Sequence, residues 1–192
     1  MRIAVVGTYR SGSTAVAGIL HYLGVDLGAP FWGDYYESAE LAAMLRSWWR
    51  EPLLVESLVA EQRRRQLATW IGKVERASPI VGAKHPLLSL SLDDLLHSWG
   101  ASTQFLWCRR PLEYSITSLE RCGWWSGADR IQRTLHHALD AFFQRQPCLS
   151  IRFDETLRQP ARQIDKIANH LNLQPSPQQF AAALHWLTKR SA

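Results

Sequence analysis

The sequence predicts one α/β domain: a three-layer α/β/α arrangement around a central parallel sheet of about four to five strands. Three observations predict it. Short apolar runs alternate with helix-like stretches along all 192 residues, the pattern of a parallel sheet covered on both faces. The first run, Ile3-Ala4-Val5-Val6, leads directly into Gly7-Thr8-Tyr9-Arg10-Ser11-Gly12-Ser13-Thr14 and then the helix-like Ala15 to Leu20. That frame is a phosphate-binding loop, G-x-x-x-x-G-K-[ST], with Ser13 where the Lys belongs, so the sheet is of the P-loop nucleotide-binding type. No repeat, low-complexity tract or linker interrupts the pattern, and residues 1–192 read as a single domain.

The elements follow in order. Arg2 to Val6 is the first strand, and a helix runs from about Thr14 to Leu23, closed by Gly24. Gly28, Pro30, Gly33 and several aromatics make residues 25–37 a loop. A helix from about Ala39 to Trp49 ends before Pro52, and another spans about Glu56 to Arg76. Pro79 to Ala83 is a short buried strand ending at Lys84-His85-Pro86; Leu92 to Trp99 is helical, with Ser91 or Asp93 as its cap. Ser102 to Trp107 is a strand that ends in Cys108-Arg109-Arg110-Pro111, and Pro111 opens a helix to about Arg121. After a break at Gly123 to Gly127 come a helix from Ala128 to Arg145, a strand from Pro147 to Phe153, and helices from Gln159 to Leu171 and Ser176 to Lys189.

Bulk properties narrow the class. With 46% hydrophobic and 20% charged residues, the composition is that of a globular domain with a full core. No window approaches the apolar length of a membrane span, and the N-terminus runs straight into a strand, so the expected location is cytoplasmic. Three cysteines without a CxxC pair point to buried free thiols rather than disulfides or zinc. The net charge of +5 suits an anionic ligand. The densest positive run, Arg63-Arg64-Arg65, reads as a solvated helix face. Nine tryptophans, including Trp48-Trp49 and Trp124-Trp125, supply core and the walls of an apolar site.

The glycine loop, Lys84-His85 and Arg109-Arg110 all fall at carboxyl ends of strands, where ligands of such sheets bind. A strand–glycine loop–helix aims free backbone N–H groups and the positive end of a helix dipole at one spot. The missing Lys removes the group that reaches a β/γ-phosphate, and Arg10 puts a cation back inside the loop. A second anion clamp lies at Arg109-Arg110, with Thr117 or Ser118 on the next helix. Two separated phosphate sites suit adenosine 3′-phosphate 5′-phosphosulfate (PAPS).

On these residues the chain resembles the PAPS-dependent sulfotransferases, particularly the short bacterial type. Gly7 to Thr14 is similar to the family's 5′-phosphosulfate loop, G-x-x-R-S-G-T-[ST]. Phe105 to Glu113 is similar to its 3′-phosphate motif, and Ile151 to Leu157 with Pro160 to its late Y-E-D-L…P segment. Gly33 to Glu40 resembles the stretch in bacterial members where a Glu follows an aromatic pair. The resemblance implies in-line transfer of a sulfuryl group from PAPS to a hydroxyl or amine, with 3′,5′-ADP as product and no metal.

It also implies roles. Arg10, Ser11, Gly12, Ser13 and Thr14 would hold the 5′-phosphosulfate, and Arg10 would meet the developing charge. The family's hydroxyl sits eight residues after its Arg, which gives Thr117 from Arg109 and Ser118 from Arg110. The usual Lys-x-His or Lys-Asp-Pro is here Lys84-His85-Pro86. His85 is the first candidate for the general base and Glu37 the second, while Lys84 would stabilise the bridging oxygen. The glycine-rich lid of the animal enzymes has no counterpart, which leaves the adenine contacts unassigned.

The acceptor is expected to be a small molecule or a sugar, with walls from residues 28–37 and 122–130. No nucleic-acid partner and no membrane span are expected, and an oligomer stays open. Two alternatives remain. One is a small-molecule or nucleotide kinase with a degenerate loop, for which Arg63-Arg64-Arg65 would be the lid. It would need Mg²⁺, yet the strand before Arg109 ends in Cys108 rather than an Asp. The other is a non-catalytic nucleotide-binding module.

Overall fold

The computed structural model describes residues 1–50, 54–123 and 127–191. The elements, in chain order, are β1 (Arg2–Val6), α1 (Ser13–Tyr22), α2 (Ala39–Trp48), β2 (Trp49–Arg50), β3 (Val55–Glu56), α3 (Ala60–Glu75), β4 (Val81–Lys84), α4 (Leu92–Trp99), β5 (Gln104–Arg109), α5 (Leu112–Glu120), α6 (Ala128–Phe143), β6 (Leu149–Arg152), α7 (Phe153–Arg158), α8 (Pro160–His170) and α9 (Pro177–Ser191). Two short 3₁₀ turns, Gly33–Tyr35 and Pro86–Leu90, precede α2 and α4.

Four parallel strands form the central sheet in the order β4-β1-β5-β6. β1 lies inside the sheet: Ile3 pairs with Gly82 on one side and Gln104 on the other. Side chains alternate across the pleat. Ile3, Val5, Leu106, Cys108 and Ile151 face one way and pack against α1, α8 and α9. Ala4, Val6, Val81, Ala83 and Phe105 face the other way, against α2, α3, α4 and α6. Both faces are therefore buried, which is why β1 is an unbroken apolar run. Trp48, Trp70 and Trp99 are fully buried on the second face, and Trp70 stacks on Trp99 with centroids 5.9 Å apart.

The predicted fold class holds, with the strand count at the lower end of the expectation. Three readings are corrected. The helix expected from Glu56 begins at Ala60, because Val55–Glu56 pairs antiparallel with Trp49–Arg50. The Ser57 hydroxyl, donating to the Trp48 carbonyl at 2.9 Å, fastens that ribbon. Arg63 is not on a solvated face: it is buried, its Nε 2.6 Å from Asp94 on α4, and Arg64 donates to the other oxygen of the same carboxylate. The shared carboxylate ties α3 to α4. The strand expected to reach Phe153 ends at Arg152, and Phe153 opens a short helix, α7. The readings at Pro52 and Trp124-Trp125 lie outside the described residues. Among the described residues no helix is long and apolar enough to cross a membrane.

Candidate functional site

The loop between β1 and α1 is shaped by its glycines. A Cβ on Gly7 would meet the Ser11 hydroxyl at 2.5 Å and the Cys108 carbonyl oxygen at 2.7 Å. Gly12 caps α1 at φ 91°, ψ 8°, and a Cβ there would fall 2.3 Å from Phe153. Arg10 also takes a positive φ of 61°. The turn leaves the first N–H groups of α1 without intrahelical partners. The loop is held from behind: Gln132 of α6 donates to the Tyr9 carbonyl at 2.7 Å and Ser89 to the Gly7 carbonyl at 3.4 Å. The Ser11 hydroxyl is buried and has no hydrogen-bond partner in the protein. An orphaned hydroxyl behind a ring of N–H donors fits a phosphate-binding cradle.

This loop floors a cleft of about 540 Å³. On one side lie Arg10, Arg110, Cys122 and Phe153; on the other lie Trp32, Tyr35, Glu37, Arg46 and Lys84.

On the first side, Arg10 Nε donates to Ser118 Oγ at 3.0 Å, and Arg110 donates to the Arg10 carbonyl at 3.2 Å. The Arg110 guanidinium lies 4.9 Å from the Phe153 ring centre. Burial, reinforced by the charge of Arg10, lowers the Arg110 pKa. Neither guanidinium is in a salt bridge with any described carboxylate. Two neighbouring cations without an acid form a receptor for an anion. Arg109 points elsewhere, stacked on Trp107 at 4.5 Å along a second cleft of about 300 Å³ that Arg110 and Arg152 also line. Thr117 is exposed, and neither Thr117 nor Ser118 lines the main cleft. Ser118 is held by Arg10, whose carbonyl Arg110 reaches, so Arg10, Arg110 and Ser118 lie together, whereas Arg109 lines the second cleft.

On the other side, Glu37 is placed by a tight loop. Trp32 N donates to the Glu37 carbonyl at 2.7 Å, and Ala39 N donates to the Pro30 carbonyl at 2.8 Å. Ser38 caps α2 through Leu41 N and also accepts from Trp70 Nε1 at 3.3 Å. The Glu37 carboxylate forms a buried ion pair with Lys84, Nζ to Oε1 at 2.5 Å, and Lys84 also reaches Thr14 Oγ1 at 3.2 Å. Lys84 therefore joins the loop's helix to the carboxylate.

His85 sits behind this pair. It is 1% exposed and does not line the cleft. Its Nδ1 accepts from Leu87 N at 3.1 Å, capping the 3₁₀ turn, so the ring proton is on Nε2, 3.8 Å from the second Glu37 oxygen. Burial, with the charges of Lys84 and Arg46 added, pushes its pKa well below 6.5. The imidazole is neutral at neutral pH.

The sequence does not show the part that Arg46 and Phe153 take in the cleft wall. Arg46 reads as an ordinary last-turn cation of α2 until Trp32, fourteen residues earlier, is seen under its guanidinium at 4.7 Å. Phe153 reads as the end of a strand, yet its ring lies against both Gly12 and Arg110.

No protein-family model matches the chain, and no curated protein does. Solved structures do. The sulfotransferase STF9 from Mycobacterium avium superposes with a TM-score of 0.63 at 13% identity, covering 98% of this chain and 68% of that one. Retinol dehydratase in complex with androsterone and the inactive cofactor PAP gives 0.53 at 15%, covering 99% and 65%. An unliganded sugar kinase from Janibacter sp. HTCC2649 gives 0.53 at 21%, covering 91% and 95%. The chain thus has the fold seen in these sulfotransferases and in the sugar kinase.

Proposed function

We propose that the protein is a sulfotransferase that moves the sulfuryl group of PAPS to a hydroxyl of a small-molecule or sugar acceptor. One observation carries the reading. A buried carboxylate–lysine pair, a phosphate cradle lacking the Walker lysine, and Arg110 line one cleft, and Arg10 of the cradle reaches Ser118 on the Arg110 side. A nucleotide with phosphates at both the 5′ and 3′ positions needs two such sites, whereas ATP needs one continuous run. The structure of retinol dehydratase with PAP shows that a protein of this fold holds such a bisphosphate.

In this reading the N–H groups at the start of α1, with Ser11, Ser13 and Thr14, hold the 5′-phosphosulfate. Arg110 and Ser118 hold the 3′-phosphate, and Arg10 spans the two. Bound PAPS supplies the reaction: the acceptor oxygen bonds to sulfur as the bond between sulfur and the 5′-phosphate oxygen breaks, and the electron pair stays on that oxygen as 3′,5′-ADP leaves. Glu37 takes the acceptor's proton. Lys84 sits between Glu37 and Thr14 and places its charge where negative charge grows on the bridging oxygen. His85 positions Lys84 and Glu37 by capping the turn beside them, its neutral, buried ring set back from the cleft.

The test is transfer from radiolabelled PAPS to phenols and sugars. Glu37→Gln should lower turnover by about 10²–10⁴-fold, the usual worth of a general base, while His85→Asn, which keeps an acceptor for Leu87 N, should stay within about threefold. Loss of activity in His85→Asn with retention in Glu37→Gln would reverse the assignment. Phosphate transfer from Mg·ATP would replace the sulfotransferase with a kinase.

A further inference from the structure

Arg46 is the cation of the cleft that the donor chemistry does not use. It belongs to the last turn of α2, on the same side as Glu37 and Lys84, and lines the cleft with Trp32 and Tyr35. Its guanidinium lies over the Trp32 ring, 4.7 Å from the centre. Trp32 and Tyr35 are 50% and 48% exposed. Stacking engages only the face of a guanidinium and leaves its five N–H donors free at the edge. Among the described residues no carboxylate pairs with Arg46 and no hydrogen bond uses its donors. Lys84, by contrast, is bound to Glu37.

The charges lining the cleft do not balance. Among the described residues that line it, Arg10, Arg46, Lys84 and Arg110 face one acid, Glu37. Glu37 answers Lys84, and the two phosphates of the donor answer Arg10 and Arg110. Arg46 is left over, on the acceptor side, preoriented by Trp32 and close enough to His85 to help keep that imidazole neutral. A preoriented fork of donors beside an exposed aromatic ring recognises a planar or tetrahedral oxyanion.

We infer that Arg46 is a specificity-determining residue and that the acceptor is an alcohol or phenol carrying an oxyanion: a carboxylate, or a phosphate or sulfate ester. This rests on the proposed sulfotransferase reading. Arg46 holds that oxyanion while Glu37 deprotonates the hydroxyl, which fixes the distance between the two groups on the acceptor.

The experiment separates the two claims. Calorimetry with 3′,5′-ADP comes first; absence of binding would end the sulfotransferase reading itself. The protein saturated with 3′,5′-ADP is then titrated with two matched pairs of probes, 4-hydroxyphenylacetate against its methyl ester and glucose 6-phosphate against glucose. At least one anionic probe should bind about tenfold or more tightly than its neutral partner. Arg46→Gln should bring that ratio to about one, and Arg46→Lys should keep part of it, since the charge remains and the fork is lost. Both variants should bind 3′,5′-ADP as the parent protein does. Bisphosphate binding with no anionic preference in either pair, including no binding of any probe, would overturn the inference. So would a preference that survives in Arg46→Gln, or loss of 3′,5′-ADP binding in that variant, which would move Arg46 into the donor site.

Discussion

Substituting Gly12 by Ala tests the geometry of the loop without any knowledge of the acceptor. Two costs arise. A residue with a Cβ must hold φ 91°, a left-handed conformation that costs roughly 1–2 kcal/mol. The new methyl would lie 2.3 Å from Phe153 Cδ2, far inside the ordinary carbon–carbon contact of about 3.5–4.0 Å. Relieving such an overlap costs roughly 1–3 kcal/mol. The total, about 2–5 kcal/mol, should appear in urea unfolding as a lower midpoint at unchanged slope. The two parts separate in a Phe153→Ala background. There the overlap is gone, so Gly12→Ala should cost only about 1–2 kcal/mol, giving a coupling of about 1–3 kcal/mol. Equal costs in both backgrounds would show that Phe153 does not press on the loop. A cost below about 1 kcal/mol in the parent protein would show that the loop does not hold its left-handed turn.

Stability should fall on mild acidification. Unfolded His85 titrates near 6.5, whereas the buried native imidazole stays neutral to a much lower pH. Below about pH 6.5 the unfolded state binds the extra proton, so stability drops by up to about 1.4 kcal/mol per pH unit. Urea midpoints at about pH 7 and pH 5.5 should show that slope, and His85→Asn should flatten it. His21 and His170, whose pKa values burial also lowers, act with the same sign; an unchanged slope in His85→Asn would assign the whole effect to them. Cysteine labelling gives a further check. Cys122 is exposed on the cleft, Cys148 is half-buried, and Cys108 is buried with its thiol pushed up to about 12. A maleimide followed by mass spectrometry should label Cys122 first and more slowly with 3′,5′-ADP bound, leaving Cys108 untouched until unfolding. Labelling of native Cys108 at the rate of Cys122 would contradict its burial.

The alternation of strands and helices was legible because it is local. Ile3 to Val6 is apolar throughout, since both of its faces are covered, and Gly7 and Gly12 mark the turn that follows. What was not legible depends on partners far along the chain. Arg63 looks like a surface charge until Asp94, thirty-one residues on, is found against it. Glu37 and His85 could not be ranked from sequence, because burial and the Lys84 pairing decide between them. The choice between Arg109 and Arg110 turns on which way each points from the end of β5, and a one-residue step reverses that direction. α7 escaped because six residues, Phe153–Arg158, are too few to show a helical period.

The central claim is a cleft built for a nucleotide with two separated phosphates. Calorimetric titration of the protein and of Arg110→Ala with 3′,5′-ADP and, separately, with Mg·ATP tests it most directly. The account predicts micromolar binding of the bisphosphate, weakened about tenfold or more (about 1.4 kcal/mol) by the substitution, and much weaker binding of Mg·ATP. Equal or tighter binding of Mg·ATP, or bisphosphate binding indifferent to Arg110, would contradict it.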